Sequence, residues 1–416
     1  MSAVAWTGDK SNNPAKLEFQ RKCDLFSKCC VVFLAFAIPV STFATHITLF
    51  ALIVSWFLAG NLETKVKRIS SHPVVKAMVA LFVVFLVGAF YSPAPTSDII
   101  QLLNKIAKLL YLPFVLSVMT EEKWRRRTLR AFLGAIVLTF ALAVLKVYGG
   151  LPVTNNFTLA CVFKDHIYTN LMMAFASFMV GHYLWRTTNK MQRFALGSLL
   201  LGLFFYVLCM SEGRSGHMIF LALWVLFCFQ KFSSKRLWIV GLGSVFLGVI
   251  ALEYSPMLQY RFFSIVEEFW RYQTSHFLTS VGQRLEFLNH TLQLVKEHPW
   301  VGYGTGSFAI VYHSYADLHH IVATDNPHNE YLNVLIQVGG LGLLVFLSLF
   351  VIIFKSSREL PEPEKWFVQG LIVAMMLGCV ANSWLMDFTS GYFFVVLLAV
   401  CLAAHHPSQL EARFQT

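Results

Sequence analysis

Two arginines and a histidine fall in short polar stretches beside long apolar runs. Arg214 lies in "CMSEGRSGHM", Arg284 in "SVGQRLEF" and His328 in "DNPHNEYLNVL". Arg214 directly precedes an apolar segment, so a helix starting there aims its free N–H groups where the guanidinium also points. That combination makes an anion site. The plainer reading is an interfacial arginine reaching for phospholipid headgroups. Arg284 falls on the polar side of a helical pattern and, taken singly, reads as a solvated surface charge. His328 follows Pro327, which disfavours helix at Asn326 and sets a turn ahead of the next apolar run. An imidazole titrating near neutrality suits a general base, and a hydrogen-bonded interfacial histidine is the competing reading.

Other polar residues are more ambiguous. Lys105 and Lys108 lie three apart within an apolar segment, hence on one helical face, where amines line a cavity or meet an anion. Asp98 and water are the alternative partners of Lys105. Asp387, in "NSWLMDFTS", can orient a histidine or hold a sugar hydroxyl, and can equally be a solvated carboxylate. His313, His319, His320 and His328 match no zinc or iron spacing, and no metal or other cofactor is expected. Gly302, Gly304 and Gly306 mimic a nucleotide loop without a preceding strand, so they read as a turn.

The elements that must hold these residues are transmembrane helices. Of 416 residues, 56% are hydrophobic and 13% charged, against roughly 25% charged in soluble proteins. Charge-free runs recur at the ~20-residue length of a bilayer span. The expected fold is an all-α polytopic membrane protein of about twelve spans: 29–44, 46–60, 74–91, 99–119, 128–148, 166–184, 194–210, 214–230, 237–252, 331–354, 366–383 and 389–404. Pro39 and His46 mark the expected break in the first pair. Basic clusters such as Lys65, Lys67 and Arg68, or Arg125 to Arg127, fall on one side, and the short loops opposite hold Lys164 and Arg214. By the positive-inside rule both termini are cytoplasmic, and the net charge of +11 reflects topology rather than nucleic-acid binding.

The expected organisation is a cytoplasmic segment 1–28 without a signal-cleavage site, spans over 29–252, a long outside loop 253–330, spans over 331–404, and a cytoplasmic tail 405–416. Within the loop, Leu285, Leu288, Leu292 and Val295 recur at helical spacing until Pro299, an amphipathic helix. The eight cysteines show no CxxC or Cys–His spacing and read as free thiols.

Three stretches together resemble the O-antigen ligase and polymerase superfamily of bacterial inner-membrane glycosyltransferases: "SEGRSG" opening a span, "GQRLEF" leading to "HPWVGYGTGSF", and "NPHNEYLNVLIQVGGLGLL". The resemblance covers roughly residues 160–400. It implies an enzyme with a periplasmic active site that takes a glycan from undecaprenyl diphosphate and joins it to lipid A–core, with inversion and without metal or nucleotide. It implies that Arg214 and Arg284 bind the donor diphosphate and that His328 accepts the proton, with Lys105, Lys108 and Asp387 as secondary candidates. The implied partners are the undecaprenyl-linked O-antigen donor, the lipid A–core acceptor and membrane lipids, and a monomer is expected to suffice. O-antigen polymerases and protein-glycosylating ligases share the pattern. A secondary transporter is the alternative of another class; it requires matching halves and polar sites at mid-membrane, whereas these residues gather at one surface.

Overall fold

Every regular element is helical among the residues that a computed structural model describes, namely 14–150, 160–233, 236, 239, 241–243, 248, 249, 252–254, 256–275 and 279–405. In chain order these are α1 (Pro14–Val40), α2 (Thr42–Leu58), α3 (Leu62–Ser71), α4 (Pro73–Gly88), α5 (Thr96–Ala107), α6 (Leu112–Val118), α7 (Glu122–Gly149), α8 (His166–Arg186), α9 (Lys190–Phe205) and α10 (Arg214–Lys231). Then come α11 (Pro256–Ser275), α12 (Ser280–Val295), α13 (Phe308–His319), α14 (Glu330–Ser357), α15 (Glu364–Ala381) and α16 (Phe388–Leu402). A 3-10 turn, Lys108–Tyr111, joins α5 to α6, and a π turn, Tyr206–Met210, ends α9.

The chain is a multi-pass membrane protein. Six described helical stretches are long and apolar enough to cross a bilayer: Pro14–Val40, Thr96–Val118, Glu122–Gly149, Lys190–Met210, Glu330–Ser357 and Glu364–Ala381. A seventh is added if the pair α2 and α3, bent by 118°, counts as one. Two of the expected spans correspond to shorter apolar helices, α4 and α16. The expected span 237–252 lies largely outside the described residues. The first break falls at Ser41, whose hydroxyl accepts from the Ala44 N–H at 3.2 Å, one residue beyond the helix that contains Pro39.

Helix α16 is the central post. All its residues from Thr389 to Leu402 are buried, and α8 is buried without interruption from Thr169 to Val180. A helix apolar on every side has no face to offer water, so it belongs inside the bundle. The ends of these two helices meet where the Tyr168 hydroxyl donates to the Asp387 carboxylate at 2.9 Å.

The span α14 is broken. Gly339 adopts φ +66, ψ −170 inside it, and a Cβ there would lie 2.2 Å from the Trp300 carbonyl carbon. The interruption frees carbonyls and N–H groups that the preceding loop satisfies. Tyr303 N–H donates to Ile336 O, Gly304 N–H to Gln337 O, and Gly340 N–H to Pro299 O, at 2.8–2.9 Å. Thr305 N–H reaches Gly88 O at the end of α4. Non-helical backbone survives at a membrane end only with such partners, since each orphan polar group in hydrocarbon costs several kcal/mol. The glycines that mimic a nucleotide loop are therefore close-approach residues: Gly304, at φ +100, would place a Cβ 2.4 Å from Ser92 Cα.

Candidate functional site

Arg214 is the first residue of α10, with Gly213 as N-cap. The π turn before it widens and underwinds the end of α9, a common local distortion at functional positions, and Ser211 N–H closes it on Tyr206 O at 3.0 Å. The Asn170 side chain then donates to Gly213 O at 3.0 Å. A Cβ on Gly216 would sit 2.2 Å from that same amide. Gly213 is in ordinary extended conformation, and Gly216 lets α8 approach α10. The guanidinium so placed donates to Ser264 Oγ at 3.1 Å and pairs with the Glu268 carboxylate, both on α11. Glu268 Oε2 also accepts from the Val281 N–H at the start of α12. The hydrogen bond from Arg214 holds the Glu268 carboxyl below the usual carboxylate range.

Arg284, on α12, joins this cluster from the other side. Crowding by surrounding protein, and next the Arg214 charge, push its guanidinium below its ordinary range, opposed by Glu268. It makes no hydrogen bond or ion pair among the described residues. The structure corrects the face that α12 packs: Phe287, Thr291 and Leu294 are buried, while Leu292 is exposed. The i, i+4, i+7 stripe that carries Phe287 wins because its ring packs on Tyr312 of α13 and stacks at 6.1 Å on His328.

His328 is half-buried between α13 and α14 and takes φ +51. A non-glycine residue there costs about 1–3 kcal/mol and persists only where its surroundings impose it. Its N–H donates to Asn326 Oδ1 at 2.9 Å, the Asx turn that creates the bend. Its Nδ1 lies 3.3 Å from Asn382 Oδ1. The Ser383 N–H donates to that same atom at 2.9 Å, which identifies it as oxygen. Nδ1 must therefore carry the proton, leaving Nε2 with its lone pair. Burial, and then the Arg284 charge, lower the imidazole below its ordinary 6.5, against the Asn382 contact and the Asp387 charge. A neutral imidazole with a fixed tautomer and an open Nε2 is equipped to accept a proton.

The turn that supplies Asn382 and Asp387 is clamped from both sides. Glu330, fully buried at the start of α14, accepts from the Leu385 and Met386 N–H groups at 3.0 and 3.4 Å. Lys108, also buried, donates to the carbonyls of Met386 and Asp387. Lys105, three residues before Lys108, is close enough to act on the same Asp387 carboxylate. Lys105 is exposed and lines a polar cavity of about 370 Å³ together with Asp98, Gln101, Asn326, Ser383 and Asp387. Asp387 caps α16, and burial raises its carboxyl despite Tyr168 and the nearby Lys108. His313 pairs with Asp325 at 2.9 Å.

Arg214, Arg284, His328 and Asp387 are thus one electrostatic neighbourhood assembled from α10, α12, α14 and α16. Lys105 borders it through the cavity, and Lys108 supports it from beneath. Sequence reading missed Glu268, Asn382 and Glu330. Glu330 had a usable signal, since an acid opening a long apolar run has to be paired or at a helix start; Glu268 and Asn382 had none.

Residues 198–347 match a protein-family model described as O-antigen ligase, a family shared by ligases, polymerases and O-oligosaccharyltransferases. The matched stretch holds Arg214, Glu268, Arg284 and His328, whereas Lys105, Asn382 and Asp387 lie outside it. No curated protein matches the chain.

Proposed function

We propose that this chain, whose residues 198–347 match the O-antigen ligase family model, is an inverting, metal-independent glycosyltransferase that moves O-antigen from undecaprenyl diphosphate to the outer core sugar of lipid A–core. In this reading the twelve apolar segments all cross the bacterial inner membrane, both termini are cytoplasmic, and the reaction takes place at the periplasmic surface. One observation carries it: Arg284 acts electrostatically on Arg214 and on His328, a histidine whose Nδ1 is held by Asn382 and whose Nε2 is open.

The acceptor hydroxyl oxygen attacks the anomeric carbon of the donor as the bond from that carbon to the diphosphate oxygen breaks. The bonding pair leaves with undecaprenyl diphosphate, and the hydroxyl proton passes to His328 Nε2. A diphosphate is already a good leaving group and requires charge neutralisation rather than a general acid. Arg214 and Arg284 supply this as preorganised donors, each worth about 3–4 kcal/mol by analogy with oxyanion holes. Glu268 pairs with Arg214, and the donor diphosphate takes over that contact.

A polymerase of the same family is the second reading, favoured by the shared membership alone. Deleting the gene separates them. Ligase loss leaves bare lipid A–core with polymer retained on undecaprenyl diphosphate. Core capped by a single repeat instead overturns the ligase reading, and unchanged lipopolysaccharide overturns both.

A further inference from the structure

The polar cavity beside His328 differs in chemistry from the arginine pair. Its walls come from α5, the loop before α13, α14 and the turn at 382–387. At about 370 Å³ it is at the small end of the ~300–1,000 Å³ range of small-ligand sites. Asp98, Asp325 and Asp387 face one ammonium, Lys105, a balance that repels phosphate. Amide and hydroxyl groups of Gln101, Asn326 and Ser383 complete the polar wall, while Phe308 and Met386 add apolar surface.

Several of these groups have unused capacity among the described residues. Asn326 spends its Oδ1 on the His328 N–H and the Ser383 hydroxyl, leaving its amide hydrogens. Asp387 spends Oδ2 on Tyr168, leaving Oδ1. Among the described residues, Lys105 and Gln101 make no hydrogen bond. Donors and acceptors interspersed in this way suit neighbouring hydroxyls, each of which both donates and accepts, and the apolar wall suits the C–H face of a pyranose. His328 donates its N–H to Asn326 of the cavity wall and feels the charges of both Arg284 and Asp387.

We propose that this cavity seats the terminal sugar of the acceptor as a neutral, uncharged ring, placing its reactive hydroxyl toward His328 while the donor diphosphate lies on the arginine side. The inference rests on the transferase reading given above and names where its acceptor binds. Asp98 and Gln101, at the start and middle of α5, then decide which sugar is accepted.

The test uses the full-length enzyme in nanodiscs, with purified lipid A–core as acceptor and a labelled undecaprenyl-diphosphate oligosaccharide as donor. Asp98→Asn and Gln101→Leu alter cavity groups on an exposed stretch of α5, and matching thermal unfolding checks that they fold. Each is expected to raise KM for lipid A–core on the order of 10-fold, roughly one lost polar contact, with KM for the donor within about twofold of the parent. A rise in donor KM with unchanged acceptor KM assigns the cavity to the donor glycan and overturns the proposal while sparing the transferase reading. Unchanged KM for both overturns it as a sugar site. Absence of any transfer by the parent enzyme instead strikes the transferase reading itself.

Discussion

At the residue scale, the stretch Asp325 to Tyr331 has a contact for each member. Asp325 pairs with His313, Asn326 makes the Asx turn, and Pro327 is buried. Asn329 caps α14 through the Leu332 N–H, Glu330 clamps the facing turn, and the Tyr331 hydroxyl donates to Met376 O. All of them fix the backbone around His328, the one member left with an open ring nitrogen. The imidazole accepts a proton only while neutral, and its pKa lies below the ordinary 6.5. Lowering the pH from neutrality therefore leaves the base intact at first, and the acid limb of the kcat/KM profile has its midpoint below pH 6.5. The Asn382 contact raises the histidine's pKa, so Asn382→Ala moves that limb to still lower pH and also lowers the plateau by freeing the tautomer. His328→Ala removes the limb and costs about 10²–10⁴-fold in kcat. A parent midpoint at or above 6.5, or an upward shift in Asn382→Ala, would sink the assignment of His328 as base.

At the scale of elements, α11 has two faces with separate tasks. Ser264, Glu268 and Tyr272, four residues apart, face inward, the first two onto Arg214 and the third onto Glu286 at 3.0 Å. Phe263, Val266 and Trp270 are exposed on the other side, the placement of apolar and aromatic residues on a helix that lies at a membrane surface. Glu268 therefore holds Arg214 in an intramolecular ion pair, which under the proposed function a diphosphate has to displace. Glu268→Gln removes the competing charge but keeps a hydrogen-bonding side chain of the same shape. Charge-assisted hydrogen bonds are worth about 1.5–3 kcal/mol, so the variant is expected to lower KM for the undecaprenyl diphosphate donor on the order of 10-fold with little change in acceptor KM. Donor titrations at saturating acceptor check this. A raised donor KM would mean that Glu268 positions Arg214 for the substrate rather than competing with it.

At the scale of the whole molecule, what was legible in the sequence was what is local. Membrane character, the loop helix and the three motif residues follow from short windows of residue type. The partners did not, because membrane packing joins distant segments: Glu268 is 54 residues from Arg214, Asn382 is 54 from His328, and Tyr168 is 219 from Asp387. The break in α14 was hidden as well, since two adjacent glycines in an apolar run read as one continuous span until the loop that fills the gap is seen. That loop ties the end of α4 to the middle of α14 and carries Gly306, Phe308 and Ala309 to the polar cavity. Gly304 is its tightest joint, at a φ only glycine adopts readily, with backbone atoms of Ser92 and Gly88 where a Cβ would go. Those atoms belong to main chain and cannot rotate aside, so Gly304→Ala forces the loop away from α4 or strains it in place. Strain of this kind costs about 1–3 kcal/mol, with overpacking adding a similar amount. Gly197→Ala is the control, because nothing lies within 4 Å of its Cβ position on α9 and a helical site favours alanine by up to about 1 kcal/mol. Thermal unfolding in detergent is expected to show Gly304→Ala clearly destabilised and Gly197→Ala unchanged or stabilised, and transfer activity to fall only in the former. Equal stability of the two variants would show that the loop is not wedged between α4 and α14 as described, and the cavity wall it supplies would have to be redrawn.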